Sequence, residues 1–178
     1  MKKYLFLVCS MAALAGCSKP AIEEAVEKND RKAVSEAISQ GADVNARIST
    51  GDTPLMLAVK SGQSSSAQAL IEGGADIKVI DASGNSVLHH AARSGMTGIC
   101  GLLIDRGLAV DARGEGGATP LQLSILASKY ETAKYLARRG ASIEQKNDAG
   151  VSALDLVGRA GDPQLTQDLK AAAATRSQ

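Results

Sequence analysis

Apolar residues between positions 55 and 72 recur with the spacing of two short amphipathic helices. Leu55, Ala58 and Val59 follow the i, i+3, i+4 pattern that places side chains on one side of a helix. A second apolar run covers about residues 65–72, and Gly62 separates the two runs. We therefore predict a helix–turn–helix unit, which is too small to bury its apolar sides without neighbours.

The residues at the ends of these segments support the same prediction. The Thr53 hydroxyl can cap the first helix, and Pro54 suits the first helical position because its missing N–H costs nothing there. Gly73–Gly74 ends the second helix with backbone angles that other residues resist. Asp81 and Gly84 then favour a hairpin-like loop that leads into the next unit.

The whole unit repeats every 33 residues along the chain. Three series keep this interval: Gly51, Gly84, Gly117 and Gly150; Leu55, Leu88, Leu121 and Leu154; and Gly41, Gly74, Gly107 and Gly140. The segments Gly-Asp-Thr-Pro-Leu-Met-Leu-Ala (51–58) and Gly-Ala-Thr-Pro-Leu-Gln-Leu-Ser (117–124) resemble the ankyrin repeat. The resemblance covers residues 21 to about 170, although Ser86–Val87 and Ser152–Ala153 stand where the family has Thr-Pro.

This resemblance implies an all-α, ankyrin-repeat solenoid of about five stacked helix–turn–helix units, caps included, joined by hairpin-like loops. The expected ankyrin-repeat domain spans 21–174 and is followed by a tail at 175–178. Its parts are an N-cap repeat (21–47), three units (48–80, 81–113 and 114–146) and a C-cap repeat (147–174). Charged residues of the N-cap, among them Glu23, are expected to face solvent.

Residues 1–16 have the layout of a signal peptide. Lys2 and Lys3 form a basic start, and an uncharged run of 12 residues follows, shorter than the roughly 20 that a membrane-spanning helix needs. The segment Leu-Ala-Gly-Cys (14–17) resembles the lipobox of bacterial lipoproteins. That resemblance implies lipid attachment at Cys17 and a lipidated N-terminus with a short linker over 17–20. An ordinary secretory peptide cleaved elsewhere is the alternative.

The lipobox resemblance predicts a lipid-anchored location in the cell envelope. Because Ser18 rather than Asp follows the cysteine, it implies the periplasmic face of the outer membrane in a Gram-negative bacterium. Cys9 would leave with the leader and Cys17 would be acylated, so Cys100 would have no cysteine to pair with. Other units hold Val34, Ala67 and Ala133 at the position of Cys100. We favour a small buried side chain over a redox sensor.

Composition narrows the choice of partner. The chain of 178 residues has 20 basic and 19 acidic side chains, and removal of the leader would leave a net charge of −1. A nucleic-acid-binding protein needs a clustered basic surface, so no nucleic-acid partner is expected. A hydrophobic content of 44% argues against general disorder.

No residue pattern predicts catalysis, a cofactor, a metal site or a small-molecule substrate. His89 and His90 are adjacent on one predicted helix and project about 100 degrees apart, which is unsuitable for joint chelation. The ankyrin resemblance implies that His89 hydrogen-bonds backbone groups between repeats. His90 replaces Leu57 and Leu123 of the neighbouring units, so it makes either a local polar contact or part of a binding surface.

The resemblance also implies that a protein partner binds the concave side, built from the finger loops and the exposed sides of the first helices. By register, the candidate contact residues are Ser49, Thr50, Asp52, Lys60, Ala82, Ser83, Asn85, His90, Arg93, Glu115, Ala118, Leu126, Val151 and Arg159. Leu126 stands where other units have Lys60 and Arg93, with Ala118 and Val151 expected beside it. Leu126 is either an apolar anchor for a partner or an ordinary leucine. An ordinary leucine here would be a single exposed side chain or one that the C-cap repeat covers.

These features give one leading hypothesis and one alternative. The leading hypothesis is a membrane-anchored, non-enzymatic protein-binding module of the bacterial envelope, and its sharper form is an immunity or inhibitor protein for a toxin. If Leu126, Ala118 and Val151 form an exposed apolar cluster, Lys60 and Arg93 form a polar rim around it that favours an acidic partner. The alternative is an accessory scaffold or chaperone-like factor for an envelope enzyme, for example in oxidative-stress defence.

Overall fold

Ten α-helices in five consecutive pairs account for most of the chain that the structure describes. This computed structural model describes residues 21–175, apart from the side chains of residues 21 and 160. The helices are α1 (Ala21–Glu27), α2 (Arg31–Ser39), α3 (Pro54–Lys60), α4 (Ser64–Glu72), α5 (Val87–Arg93), α6 (Thr97–Asp105), α7 (Pro120–Leu126), α8 (Tyr130–Arg138), α9 (Ala153–Ala160) and α10 (Pro163–Ala174). The predicted leader, the lipid site at Cys17 and the tail residues 176–178 lie outside the described residues.

The helices stack in two layers. The odd-numbered helices pack against one another in chain order, the even-numbered helices do the same, and the two members of each pair are in contact. Residues 21–175 contain no β-strand, and an isolated antiparallel bridge joins Ile80 to Ser86 across one connecting loop. The predicted all-α solenoid of helix–turn–helix units with hairpin-like loops is confirmed.

The helix starts follow the local capping rules. The Thr53 side chain accepts a hydrogen bond from the Met56 N–H at 3.3 Å, and Pro54 is the first residue of α3. Where the family's Thr-Pro is missing, Ser152 takes the capping role by accepting from the Asp155 N–H at 3.1 Å. The departures from the Thr-Pro pattern therefore leave the helix starts intact.

A glycine in the left-handed region follows each of the first four even-numbered helices. The φ angles of Gly41, Gly74, Gly107 and Gly140 are +90, +89, +94 and +98 degrees. An L side chain in this region costs roughly 1 kcal/mol or more, so the glycine series is explained by backbone conformation. These four positions set the direction of the loop toward the next unit.

The core is aliphatic and continuous through the stack. Leu55, Leu88 and Leu121 of the leucine series are fully buried in the odd-numbered layer. Cys100 is also fully buried, and burial raises the pKa of its thiol to about 12. A protonated, inaccessible thiol confirms the interpretation of Cys100 as a small core side chain. No helix within residues 21–175 is long and apolar enough to cross a bilayer.

The N-terminal unit differs from expectation at Glu23. This residue lies in α1, which belongs to the odd-numbered layer and packs against α3, so its side chain faces the neighbouring unit. Glu23 is only 1% exposed and accepts hydrogen bonds from the hydroxyl and the N–H of Ser49. The expectation of a solvent-facing Glu23 is wrong, because the helix that carries it is covered by the first loop.

Candidate functional site

The connecting loops, which we call fingers, are held to the odd-numbered helices by buried polar side chains. His89 in α5 is buried, and its Nδ1 accepts from the Ser86 N–H at 3.2 Å. Its Nε2 therefore carries the proton and donates to the carbonyls of Ala112 at 3.0 Å and Ala118 at 3.2 Å. This confirms that His89 bridges backbone groups of neighbouring repeats.

Burial keeps His89 uncharged. Loss of solvent lowers the pKa of His89, and the two carbonyl hydrogen bonds oppose this effect without overcoming it. A neutral imidazole with both nitrogens engaged has no free lone pair for a metal or a proton-transfer step. His89 therefore positions the finger over residues 112–118 and is a structural residue.

His90 points away from His89 and fastens the preceding finger. Its Nε2 lies 2.7 Å from Oδ2 of Asp81, and each of the two side chains is 12% exposed. The other carboxylate oxygen of Asp81 accepts from the N–H groups of Ser83 and Asn85, both at 2.9 Å. His90 thus makes the local polar contact that was one of its two predicted roles.

The Asp81 carboxyl group stays ionised despite its partial burial. Burial raises the pKa of Asp81, but hydrogen bonds from His90 and from the N–H groups of Asn85 and Ser83 outweigh it, and the pKa is lowered overall. The tip of this finger is therefore held by hydrogen bonds to the two oxygens of the Asp81 carboxylate. This order limits the conformational entropy that the finger would lose on binding a partner.

A groove of about 480 Å³ opens at the carboxyl ends of the odd-numbered helices. Lys60, His90, Arg93, Ser94 and Ala127 line it. The ammonium group of Lys60 contacts Asp52 of its own finger at 2.9 Å. The Arg93 side chain is exposed and has no hydrogen bond or ion pair within residues 21–175, so its guanidinium group can donate hydrogen bonds to an acidic group of a partner.

Two large apolar side chains are exposed near this groove and the fingers. Leu126, the last residue of α7, is 62% exposed, and Ile80, which begins a finger, is 63% exposed. Ile80 lines a second groove of about 520 Å³ together with Arg47 and Asp52. Contiguous exposed apolar surface marks protein-binding sites, and Leu126 and Ile80 are the large apolar side chains of the described residues that are exposed for such a contact.

Comparison with protein-family models identifies the chain's family. A model of ankyrin repeats (3 copies) matches residues 6–81, 22–113 and 74–147. The chain belongs to the ankyrin-repeat family. No curated protein matches the chain significantly. Ankyrin repeats indicate a protein–protein interaction module, and proteins built from them are generally non-enzymatic.

Most of the residues expected on the concave ankyrin surface reach solvent. The exposed or partly exposed members of the set are Ser49, Thr50, Asp52, Lys60, Ala82, Ser83, His90, Arg93, Glu115, Leu126, Val151 and Arg159. Ser49 is hydrogen-bonded to Glu23, and Asp52 forms an ion pair with Lys60, so these residues also stabilise the fold. The interpretation in which the cap covers Leu126 is excluded by its exposure.

Two members of the set are buried instead, which corrects the register-based expectation. Oδ1 of Asn85 accepts from the Glu115 N–H at 3.1 Å, so Asn85 joins two consecutive ankyrin fingers. Ala118 is buried because its carbonyl accepts hydrogen bonds from His89 and from the Gly114 N–H. Ala118 therefore does not form part of an exposed apolar cluster with Leu126.

The contact residues predicted from register do not include Ile80. The equivalent residues of the other ankyrin units are Arg47, Arg113 and Lys146, so Ile80 is the apolar exception in a basic series. The same comparison by period that singled out Leu126 would have found it. The described residues contain no group of three or more histidine, cysteine or acidic side chains arranged for a metal ion.

Proposed function

We propose that this ankyrin-repeat protein is a non-enzymatic binding protein, tethered to the bacterial envelope by lipid at Cys17, which holds a protein partner on its concave surface. In its more specific form, the proposal is that the protein is an immunity protein, which binds and inhibits a toxin that arrives in the envelope. The tether and the location rest on the basic, apolar and Leu-Ala-Gly-Cys pattern of residues 1–17. Binding rests on the ankyrin repeats and on the surface of the described residues.

The exposure of Leu126 is the observation that carries the binding proposal. A 62% exposed leucine ends α7, whereas the two preceding helices of the odd-numbered layer, α3 and α5, end in Lys60 and Arg93. Exposed apolar surface is costly to maintain in water, and burial against a partner gains about 25 cal/mol per Å². Leu126 on a rigid stack of helices therefore suits an anchor for a complementary pocket.

Affinity capture from envelope extracts tests the binding proposal. We expect the wild-type chain to capture a specific protein that also binds in one-to-one ratio after purification, and Leu126→Asp to lose it. Ser65→Asp, an exposed site on α4 in the even-numbered layer, is the matched control and should capture normally. Equal capture by Leu126→Asp and wild type, with unchanged circular dichroism, would contradict a role for this surface.

The nature of the captured protein tests the sharper form. A hydrolase-type toxin whose activity falls on binding the wild-type chain, and not on binding Leu126→Asp, would support an immunity role. A resident envelope enzyme whose activity is maintained or raised by the complex would instead identify an accessory role and exclude immunity.

Membrane fractionation tests the tether separately. Cys17→Ser should move the protein from the membrane to the soluble fraction, because several acyl chains anchor stably at about 0.8 kcal/mol per buried methylene. Cys9→Ser lies within the apolar run and is the matched control, which should stay in the membrane. Membrane retention of Cys17→Ser would contradict the tether without affecting the binding proposal.

A further inference from the structure

One row of side chains runs along the concave surface at intervals of one repeat. Lys60, Arg93, Leu126 and Arg159 occupy the same position in successive repeats, and each lies in the last turn of an odd-numbered helix. We call these four residues the groove row. Three of its members are cations, and the apolar member is flanked by an arginine on each side.

The two arginines beside Leu126 have no directly bonded partner within the described residues. Arg93 and Arg159 are exposed, and neither has a hydrogen bond or an ion pair within residues 21–175. Asp155 lies one turn before Arg159, and its pKa is lowered by hydrogen bonds from Ser152 and by the charges of Lys146 and Arg159. Its carboxylate is bonded to the N–H of Ser152 at 2.8 Å and to the Ser152 hydroxyl at 2.7 Å, not to the Arg159 guanidinium group. Lys60 differs, because Asp52 already pairs with it.

Acidic groups near the row are also engaged. Oδ2 of Asp81 is bonded to His90, which lines the same groove as Arg93, and Oδ1 accepts from the N–H groups of Ser83 and Asn85, so both of its oxygens already have partners. The row from Arg93 to Arg159 therefore has an exposed arginine at each end and an apolar side chain in the middle. A partner of complementary chemistry carries an apolar side chain between two carboxylates.

The distance between neighbouring residues of the groove row determines the distance between the matching side chains of a partner. Helices α5, α7 and α9 are consecutive neighbours in their layer, and packed helices lie about 8–10 Å apart. A polyproline II segment advances about 3.1 Å per residue with three residues per turn, so every third side chain lies on the same side at intervals of about 9 Å. Side chains at positions 1, 4 and 7 of such a segment therefore match Arg93, Leu126 and Arg159 in spacing.

We infer that the groove row binds a segment of the partner in the polyproline II conformation with the pattern acidic-x-x-apolar-x-x-acidic. Arg93 and Arg159 pair with the two carboxylates, and Leu126 contacts the apolar side chain. The inference deepens the proposed function and rests on it, since it specifies which part of a partner the concave surface holds. It identifies the partner by chemistry alone.

Peptide binding to the purified full-length chain tests the inference directly. The probe is a fluorescein-labelled peptide with the core Glu-Thr-Ser-Leu-Thr-Ser-Glu, and its counterpart has Lys in place of both Glu residues. We expect Kd from fluorescence anisotropy to be about tenfold lower for the acidic peptide, which is about 1.4 kcal/mol. The difference should shrink at 0.5 M salt, because exposed charges are screened.

Charge reversal on the protein supplies the matched control. The double variant Arg93→Glu with Arg159→Glu should bind the lysine peptide better than the acidic one. Arg138→Glu changes an exposed arginine on α8, which has no ion pair within residues 21–175, and should keep the wild-type preference. Unchanged circular dichroism of both variants excludes loss of folding as the cause.

Three results would overturn the inference. They are equal affinity of the wild type for both peptides, an effect of Arg138→Glu as large as that of the double variant, and no binding of either peptide up to millimolar concentration. Partner capture separates this failure from that of the proposed function. Undiminished capture by the double variant overturns the groove-row inference alone, whereas no capture by the wild type contradicts the binding proposal itself.

Discussion

His89 and Gln122, at the same position of consecutive repeats, make the same three hydrogen bonds to equivalent backbone groups. His89 accepts from Ser86 N–H and donates to the carbonyls of Ala112 and Ala118; Gln122 accepts from Thr119 N–H and donates to those of Gln145 and Val151. Each side chain offers one acceptor to its own helix start and one donor to the next finger. Asp155 follows in the series as an acceptor only, and α9 and α10 are the last helices of the described stack.

Replacement of His89 by Gln should remove one source of pH dependence without unfolding the domain. The pKa of His89 is lowered by burial, so the unfolded chain takes up a proton below about pH 6.5 that the folded chain does not. Wild-type stability therefore falls as pH decreases through this range. Urea unfolding of His89→Gln, followed by circular dichroism from pH 7.5 to pH 5, should show a smaller decrease.

His89→Ala is the control for the hydrogen bonds themselves. It removes the Nε2–H donor from the carbonyls of Ala112 and Ala118, of which Ala118 keeps a hydrogen bond from the Gly114 N–H, and it creates a cavity. We therefore expect a loss of about 2–4 kcal/mol at pH 7.5. His89→Gln should lie within about 1 kcal/mol of wild type, as Gln122 already serves in the same place. Equal losses for the two variants would show that the amide cannot replace the imidazole in this unit.

Asp81→Asn should change how the free energy of unfolding depends on pH in acid while the finger keeps its conformation. Oδ1 of Asn147 at the equivalent position accepts from the N–H groups of Ala149 at 3.1 Å and Val151 at 3.0 Å, so an amide can organise this turn. The folded pKa of Asp81 is lowered, so its contribution is present above about pH 3.9 and is lost as pH falls further.

Acid titration of the free energy of unfolding measures this contribution. Asp81→Asn should be less stable than wild type at pH 7 by about 1 kcal/mol, because the charged bond to His90 becomes a neutral one. The gap should close between pH 4 and pH 2. A constant difference across that range would assign the effect to something other than the ionisation of Asp81.

Leu126→Ala and Leu121→Ala remove the same atoms from two positions of α7 with opposite exposure. Leu121 is fully buried, so its truncation should cost about 2–5 kcal/mol. Leu126 is largely exposed, and its truncation should change the free energy of unfolding by less than about 0.5 kcal/mol. Equal losses in urea unfolding would mean that Leu126 is buried in solution and unsuited to bind a partner.

Two glycine-to-alanine changes should shift stability in opposite directions. A Cβ at Gly98, within α6, or at Gly107 would meet no atom within 4 Å, so neither change creates a clash. Gly98→Ala should stabilise by about 0.5–1 kcal/mol, because alanine favours the helix. Gly107 has a φ of +94 degrees, and its replacement should destabilise by about 1 kcal/mol. Thermal unfolding compares the two variants directly.

The sequence by itself determined the repeat architecture, because the signals are local and recur in each unit. Thr53 and Pro54 start α3 through their own hydroxyl and ring, and Gly74 ends its unit through its own backbone angles. Register also placed Leu126 on the concave surface, since equivalent positions of a repeat have equivalent surroundings, but the structure decided that the cap leaves it exposed.

Only the tertiary structure decided which polar residues are available to a partner. Glu23 and Asn85 are buried by hydrogen bonds to the next finger, and Asp81 is fixed by His90 on the following helix. The partners of Glu23 and Asn85 are 26 and 30 residues distant along the chain. Periodicity gives the face on which a side chain lies, whereas its hydrogen-bond partner depends on how closely consecutive units pack.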